Sequence, residues 1–217
     1  MKVTELQNVS PQSFQDLRDK LSEALEDELV ICQFAKPAVF IGTSADEEAM
    51  VYANYCTKRK IPVIYTDGVH KSSSYHDSNE FRVFAVVRKD SDYPFLKSPW
   101  SEKLSQMQSL RIFAHIMVST LSKFNVRATH QGDNLLVRLE TNEVKIGRLS
   151  TRVSSHVRFS GHILLDWDID TAEKAIVSPK HDMREHVKGL KELGYNVTFE
   201  QLRDSFIQAW QEVFSNV

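Results

Sequence analysis

Glycine is scarce in this chain, 7 in 217 residues. That excludes the usual phosphate-cradling loop, in which several glycines stand together. Cysteine is scarcer still. Cys32 in an expected strand and Cys56 in an expected helix fit neither a metal-ligand spacing nor a disulfide scaffold, so a reducing, cytoplasmic setting is the expectation. No run approaches the ~20 apolar residues of a membrane span. The opening stretch MKVTELQNVS also lacks the apolar centre of a signal peptide. Neither charge dominates: 27 Lys+Arg against 29 Asp+Glu leave a net −2, which gives no electrostatic case for nucleic acid or an anionic membrane. What is present, 41% hydrophobic and 26% charged residues, suits one α+β domain over residues 1–217.

Periodicity lays out the elements. Ser10-Pro11 starts an amphipathic helix over 11–28, with Phe14, Leu17, Leu21 and Leu25 at helical spacing. Strands follow at 29–34 and 38–41. A helix over 45–60 then carries Asp46, Glu47 and Glu48 at its start and Lys58, Arg59 and Lys60 at its end, as the helix dipole favours. Residues 61–64 read as a strand, 65–80 as a polar loop and 81–88 as a strand. Ser98-Pro99 opens a long helix whose stripe of Leu110, Phe113, Met117, Leu121 and Phe124 reads as core. Three strands are expected at 135–139, 144–153 and 159–166, the first two joined through Thr141-Asn142-Glu143. Helices follow over 171–177 and 184–193, the latter capped by Gly194. A capping box, Thr198 to Gln201, starts the last helix. The helices from about 180 to 217 are expected to pack on the same domain, with no separate accessory domain.

Two stretches offer chemistry. Strand alternation puts Lys145 on one face with Gly147, Leu149, Thr151 and Val153. A lysine on an apolar face is expensive unless its ammonium meets an anion. Gly147 removes a side chain where a ligand or another backbone could come close. The plainer readings are a lysine reaching out to water and a glycine marking a bulge. The polar loop is the second stretch, with Asp67, His70, Lys71, Ser72, His76 and Asp77 between two strands that look buried. It reads as a substrate-facing segment or as a solvated surface loop.

The order PAVFIG, a helix, IPVIY, a loop ending Tyr75-His76-Asp77, a strand, a long helix, then GDNLLV, VKIG and GHILLDWD resembles the lipoate–protein ligase and octanoyltransferase family. That family shares its catalytic fold with biotin–protein ligases. The resemblance runs from about Ala38 to the final helix and implies a mixed sheet flanked by helices. It implies that Lys145 contacts the acyl carbonyl and phosphate of an acyl-adenylate. The implied activity is attachment or transfer of a lipoyl or octanoyl group to a lysine of a lipoyl-carrier domain. Lipoate or octanoate, ATP and Mg are the cofactors it implies, and an accessory subunit is a further partner.

Site residues carry over one by one. His76 and Asp77 fall on the family's His-Asp, and Asp133-Asn134-Leu135 on its Asn-Asp-Leu with the first two exchanged. Gly161 matches its His-Gly-x-Leu-Leu segment, with Ser160 in the histidine's place. His70, Lys71 and Ser72 stand where family ligases carry three glycines, and Thr66-Asp67 where they carry two arginines. Those exchanges weaken adenylate contacts, since glycines let backbone N–H groups close on a phosphate and arginines grip it with paired donors. The octanoyltransferase cysteine is missing as well: Pro179-Lys180 stands where one branch has proline and cysteine, so no thiol nucleophile is in place. Two functions stay open. One is a ligase or transferase in which Lys145 stabilises charge at the acyl group. The other is a catalytically inactive or redirected member that binds an acyl group or a protein.

Overall fold

The computed structural model describes residues 1–21, 26–66, 73–89, 105–177 and 182–214. Its largest element is a seven-stranded mixed sheet ordered β1-β2-β6-β10-β9-β8-β7. The strands are β1 (Lys2–Val9), β2 (Glu28–Phe34), β6 (Glu80–Arg88), β10 (His156–Leu164), β9 (Glu143–Val153), β8 (Asn134–Arg138) and β7 (Ala128–Gln131). A smaller sheet, β4-β3-β5, joins β4 (Val63–Thr66), β3 (Ala38–Gly42) and β5 (Ser73–His76). Helices are α1 (Pro11–Leu21), α2 (Glu47–Met50), α3 (Ala53–Arg59), α4 (Gln106–Ser122), α5 (Ile169–Ala175), α6 (Met183–His186) and α7 (Phe199–Phe214).

Alternation along the central strand divides the interior. From β6, Phe81, Val83, Ala85 and Val87 meet α4 and α7, while Phe84 and Val86 meet α1 and the small sheet. A strand covered on both faces reads as a nearly continuous apolar run, which residues 81–87 provide apart from Arg82. The far side of the small sheet, through Val39, Ile41 and Tyr75, packs on Val51, Cys56, Ala172 and Ala175. Strand β1 lies parallel to β2 at the sheet edge. It is tied to α7 by Arg203 to Glu5 at 3.1 Å and by the Trp210 Nε1 hydrogen bond to Met1 Sδ at 3.1 Å.

Several expectations need correction. The single helix over 45–60 is two, because Val51 pairs with Ile176 and the Tyr52 N–H turns to the Ala175 carbonyl. The expected loop over 65–80 contains β5, which pairs antiparallel with β3. The helix over 184–193 stops at His186. Lys188, Leu190 and Lys191 give their N–H groups to the carbonyls of Lys145, Leu164 and Leu165 instead of to a helix ladder. The onset expected at Ser98-Pro99 lies outside the described residues, and so do Asp67, His70, Lys71, Ser72 and Pro179-Lys180. Within the described part, α4 starts from a Ser105/Gln108 capping box, and the one expected at Thr198/Gln201 is present.

The pairing of β8 with β9 matters most for the site. Leu135 lies opposite Gly147 and Leu136 opposite Lys145, so Ile146 is an extra residue, a bulge. Val144, Ile146 and Leu149 all reach the α4/α7 core. Lys145 is therefore turned to the opposite face from Gly147 and Leu149, which corrects the shared face read from simple alternation. Gly147 is required here: a Cβ would stand 2.1 Å from the His162 carbonyl oxygen. Gly147→Ala is expected to destabilise by about 3 kcal/mol, the upper end for overpacking, because backbone rather than a flexible side chain must yield. Urea unfolding checks this, and a loss below about 0.5 kcal/mol, the range of neutral surface changes, would contradict it.

Candidate functional site

On the face of β9 and β10 away from α4 and α7, Lys145, Arg148, Arg158, Ser160 and His162 are half-buried and make up a largely basic surface. The register places them: Arg148 pairs with His162 and with Asn134, and His162 pairs with Arg82 of β6. Lys145 is fixed through its backbone, its carbonyl accepting from the Lys188 N–H at 3.0 Å. Its amine makes no hydrogen bond or ion pair among the described residues. Burial lowers its pKa and the neighbouring Arg148 adds to that, with Asp133 pulling the other way. Asp133 itself takes Arg148, Nε to Oδ2 at 2.7 Å.

Beside these residues lies a buried polar cluster. The Glu80 Oε2 atom accepts from the Arg82 guanidinium at 2.8 Å and lies 3.0 Å from His76 Nδ1. His76 Nε2 meets the Ser74 hydroxyl at 2.9 Å, and the His162 ring stands edge-on to His76, 4.9 Å between centroids. Arg82 stacks over Phe34 and Phe14. Burial pushes His76 and His162 below the usual histidine range, so both rings are neutral at pH 7. Burial alone would raise the Glu80 carboxyl; the hydrogen bond with His76 and the Arg82 guanidinium outweigh it and keep the group ionised.

Asp77 stands apart in sign. Its Oδ2 accepts from the Asp168 N–H at 2.9 Å and its Oδ1 from the Asn79 N–H, which locks β5 to the start of α5. Burial, with Glu80 adding to it, lifts its carboxyl to about 7 despite those donors. An unfolded chain releases this proton near the ordinary Asp value of ~3.9. Between there and pH 7 the folded state holds a proton that the unfolded state lacks, so stability falls as pH rises. In urea titrations from about pH 4.5 to 7.5, Asp77→Asn is expected to lack this downward component. Parallel curves for the two proteins would show that another group titrates.

Of the site residues expected from the sequence, the structure gathers Lys145, Asp133 and Asn134 around Arg148, and places His76 and Asp77 at the cluster. Gly147 abuts the His162 carbonyl. Gly161 faces the helix side, where a Cβ would stand 2.8 Å from the Phe113 ring. Glu80, Arg82, Arg148 and His162 escaped the sequence reading. The available signal was Glu80 and Arg82 alternating with Phe81 and Val83 on a strand otherwise apolar.

No family profile and no curated protein sequence matches the chain. Solved structures do. A bipartite lipoate protein ligase from Thermoplasma acidophilum, described with its E2 lipoyl domain, superposes with a TM-score of 0.75 at 17% identity, covering 98% of this chain and 84% of that one. A lipoate-protein ligase A bound with ATP gives 0.74 at 16%, covering 98% and 84%. LipL1 of P. falciparum in complex with lipoate gives 0.67 at 15%, covering 99% and 62%. Identities this low speak to the fold alone. The superpositions take in nearly all of this chain: it has the lipoate-protein ligase fold, a large mixed sheet flanked by helices, as the order of its sequence pieces implied.

Proposed function

We propose that the chain binds a lipoyl- or octanoyl-type acyl group, activated as its adenylate, on the basic face beside Lys145, and passes it to a lysine of a lipoyl-carrier domain. The observation that carries this reading is the Lys145 amine. A bulge turns it onto the basic face, half-buried beside Arg148, with no carboxylate paired to it among the described residues. A cation held in a partly dry recess is stabilised by an anion, and an acyl phosphate fits. When bound, an acyl-adenylate supplies the activated carbonyl and the phosphate leaving group. Lys145 holds the charge that develops on the carbonyl or phosphate oxygens. Arg148, oriented by Asp133, adds positive potential at the same face. The ligases sharing the fold support the choice of ligands, since one is described with lipoate, one with ATP and one with a lipoyl domain.

A second reading, a module that binds the acyl group or carrier without transferring it, is favoured by Thr66-Asp67 and by His70-Lys71-Ser72 in place of arginines and glycines. One assay separates the two. The protein is incubated with ATP, Mg, octanoate or lipoate and an apo lipoyl-carrier domain, and the carrier is weighed by mass spectrometry. A mass gain of one acyl group supports transfer. Carrier or acyl binding without any mass gain supports the module.

A further inference from the structure

His76, Glu80 and His162 bring three metal-ligating groups together from β5, β6 and β10. One ligand atom from each lies within 4.8 Å of the others. The acyl chemistry proposed above makes no use of this arrangement. We propose that these three side chains bind a divalent transition-metal ion of the zinc class.

The ligand set comes first. Two imidazoles and one carboxylate suit a borderline ion such as Zn²⁺, whereas Mg²⁺ and Ca²⁺ take oxygen donors. Three protein ligands also leave a fourth position for water or an anion.

The donor atoms are available. The His162 ring nitrogens make no hydrogen bond among the described residues; the ring's recorded contact is the edge-to-face one with His76. Both imidazoles are neutral, as ligation requires. On Glu80, Oε2 carries the two shorter contacts, from Arg82 at 2.8 Å and His76 at 3.0 Å. Its Oε1 has only longer ones, 3.3 Å from His76 Nδ1 and 3.3 Å from the Asp77 N–H. That oxygen can turn to an ion while Oε2 keeps Arg82. The Ser74 hydroxyl, 2.9 Å from His76 Nε2, holds the ring from its far side, as outer partners of ligating histidines do.

Arg82 is the opposing charge bonded to the cluster, and Arg148 and Lys145 on the neighbouring strand also act against a cation. The Arg82 guanidinium is fixed by stacking 4.7 Å from the Phe34 ring centre, so it acts as an outer partner of the carboxylate and weakens the site without filling it. Zn–N bonds of ~2.0–2.1 Å require the three donors to draw closer than they stand. A rotation of the unbonded His162 ring is the cheapest way.

Chelator-treated protein titrated with Zn²⁺ by calorimetry, and with Co²⁺ by visible absorption, tests the assignment. We expect one equivalent bound, a tetrahedral-type Co²⁺ band that Zn²⁺ displaces, and a higher melting temperature with metal. His162→Ala breaks no hydrogen bond, keeps the fold by circular dichroism, and weakens Zn²⁺ binding at least ~100-fold, while Ser74→Ala weakens it ~10–100-fold. Undiminished affinity in His162→Ala would assign the ion to exposed histidines such as His115 or His130 and overturn the proposal. Absence of binding by the parent protein would overturn it equally. The probe is the metal alone, so these outcomes are independent of acyl transfer.

Discussion

Lys145→Met is expected to lower acyl transfer to a lipoyl-carrier domain by ~10²–10³-fold, the loss seen when one preorganised charge-stabilising donor is removed. Methionine nearly matches the length of the stem and fills the same recess, so packing is kept while the charge goes. The urea midpoint should hold or rise, because a half-buried ammonium with no carboxylate partner is itself a burden on the fold. That split, activity down and stability level or up, is what separates a functional lysine from a structural one. Steady-state transfer assays beside urea titrations read both quantities. Unchanged transfer would remove Lys145 from the chemistry and leave the basic face as a binding surface.

Glu80→Ala should have the largest effect on stability, costing about 3–5 kcal/mol, the range for breaking a buried ion pair from one side. Glu80 is 1% exposed and the Arg82 side chain 8%. Arg82 cannot swing out to water easily, since its guanidinium packs against the rings of Phe34 and Phe14. The substitution strands that charge and also removes the acceptor of the His76 ring and of the Asp77 N–H. A double variant, Glu80→Ala with Arg82→Met, should recover a large part of the loss, because an apolar pair is often tolerated where a half-broken ion pair is not. Urea midpoints of the three proteins decide it. A cost under about 1 kcal/mol for Glu80→Ala would mean the trio behaves as an exposed pair.

The legible and illegible parts of this chain divide along a physical line. Local signals read correctly where one strand or helix decides its own pattern. Residues 81–88 form a strand because almost every side chain there is apolar, and Thr198/Gln201 caps a helix through bonds three residues apart. Lys145 was visible as a costly residue on a strand. Its face was not, because the Ile146 bulge depends on how β9 pairs with β8, which one strand's periodicity does not record. The helix over 45–60 failed for a similar reason, Val51 being drawn off by Ile176 from far along the chain. Strand β1 escaped notice since it sits at the edge with much of it exposed, so its alternation carries little contrast. The polar cluster is assembled by three strands at once. Only His76 and Asp77 were picked out, and Glu80 was assigned to the end of a loop when it opens β6.

The tie between β1 and α7 bears on how the protein is made. Among the described elements β1 leaves the ribosome before all others and α7 after them, yet α7 roofs Phe81, Phe159 and Leu29. Until Phe206 and Trp210 are synthesised, that side of the sheet has no complete cover, and nascent chains of this protein present a broad apolar face to chaperones or to one another.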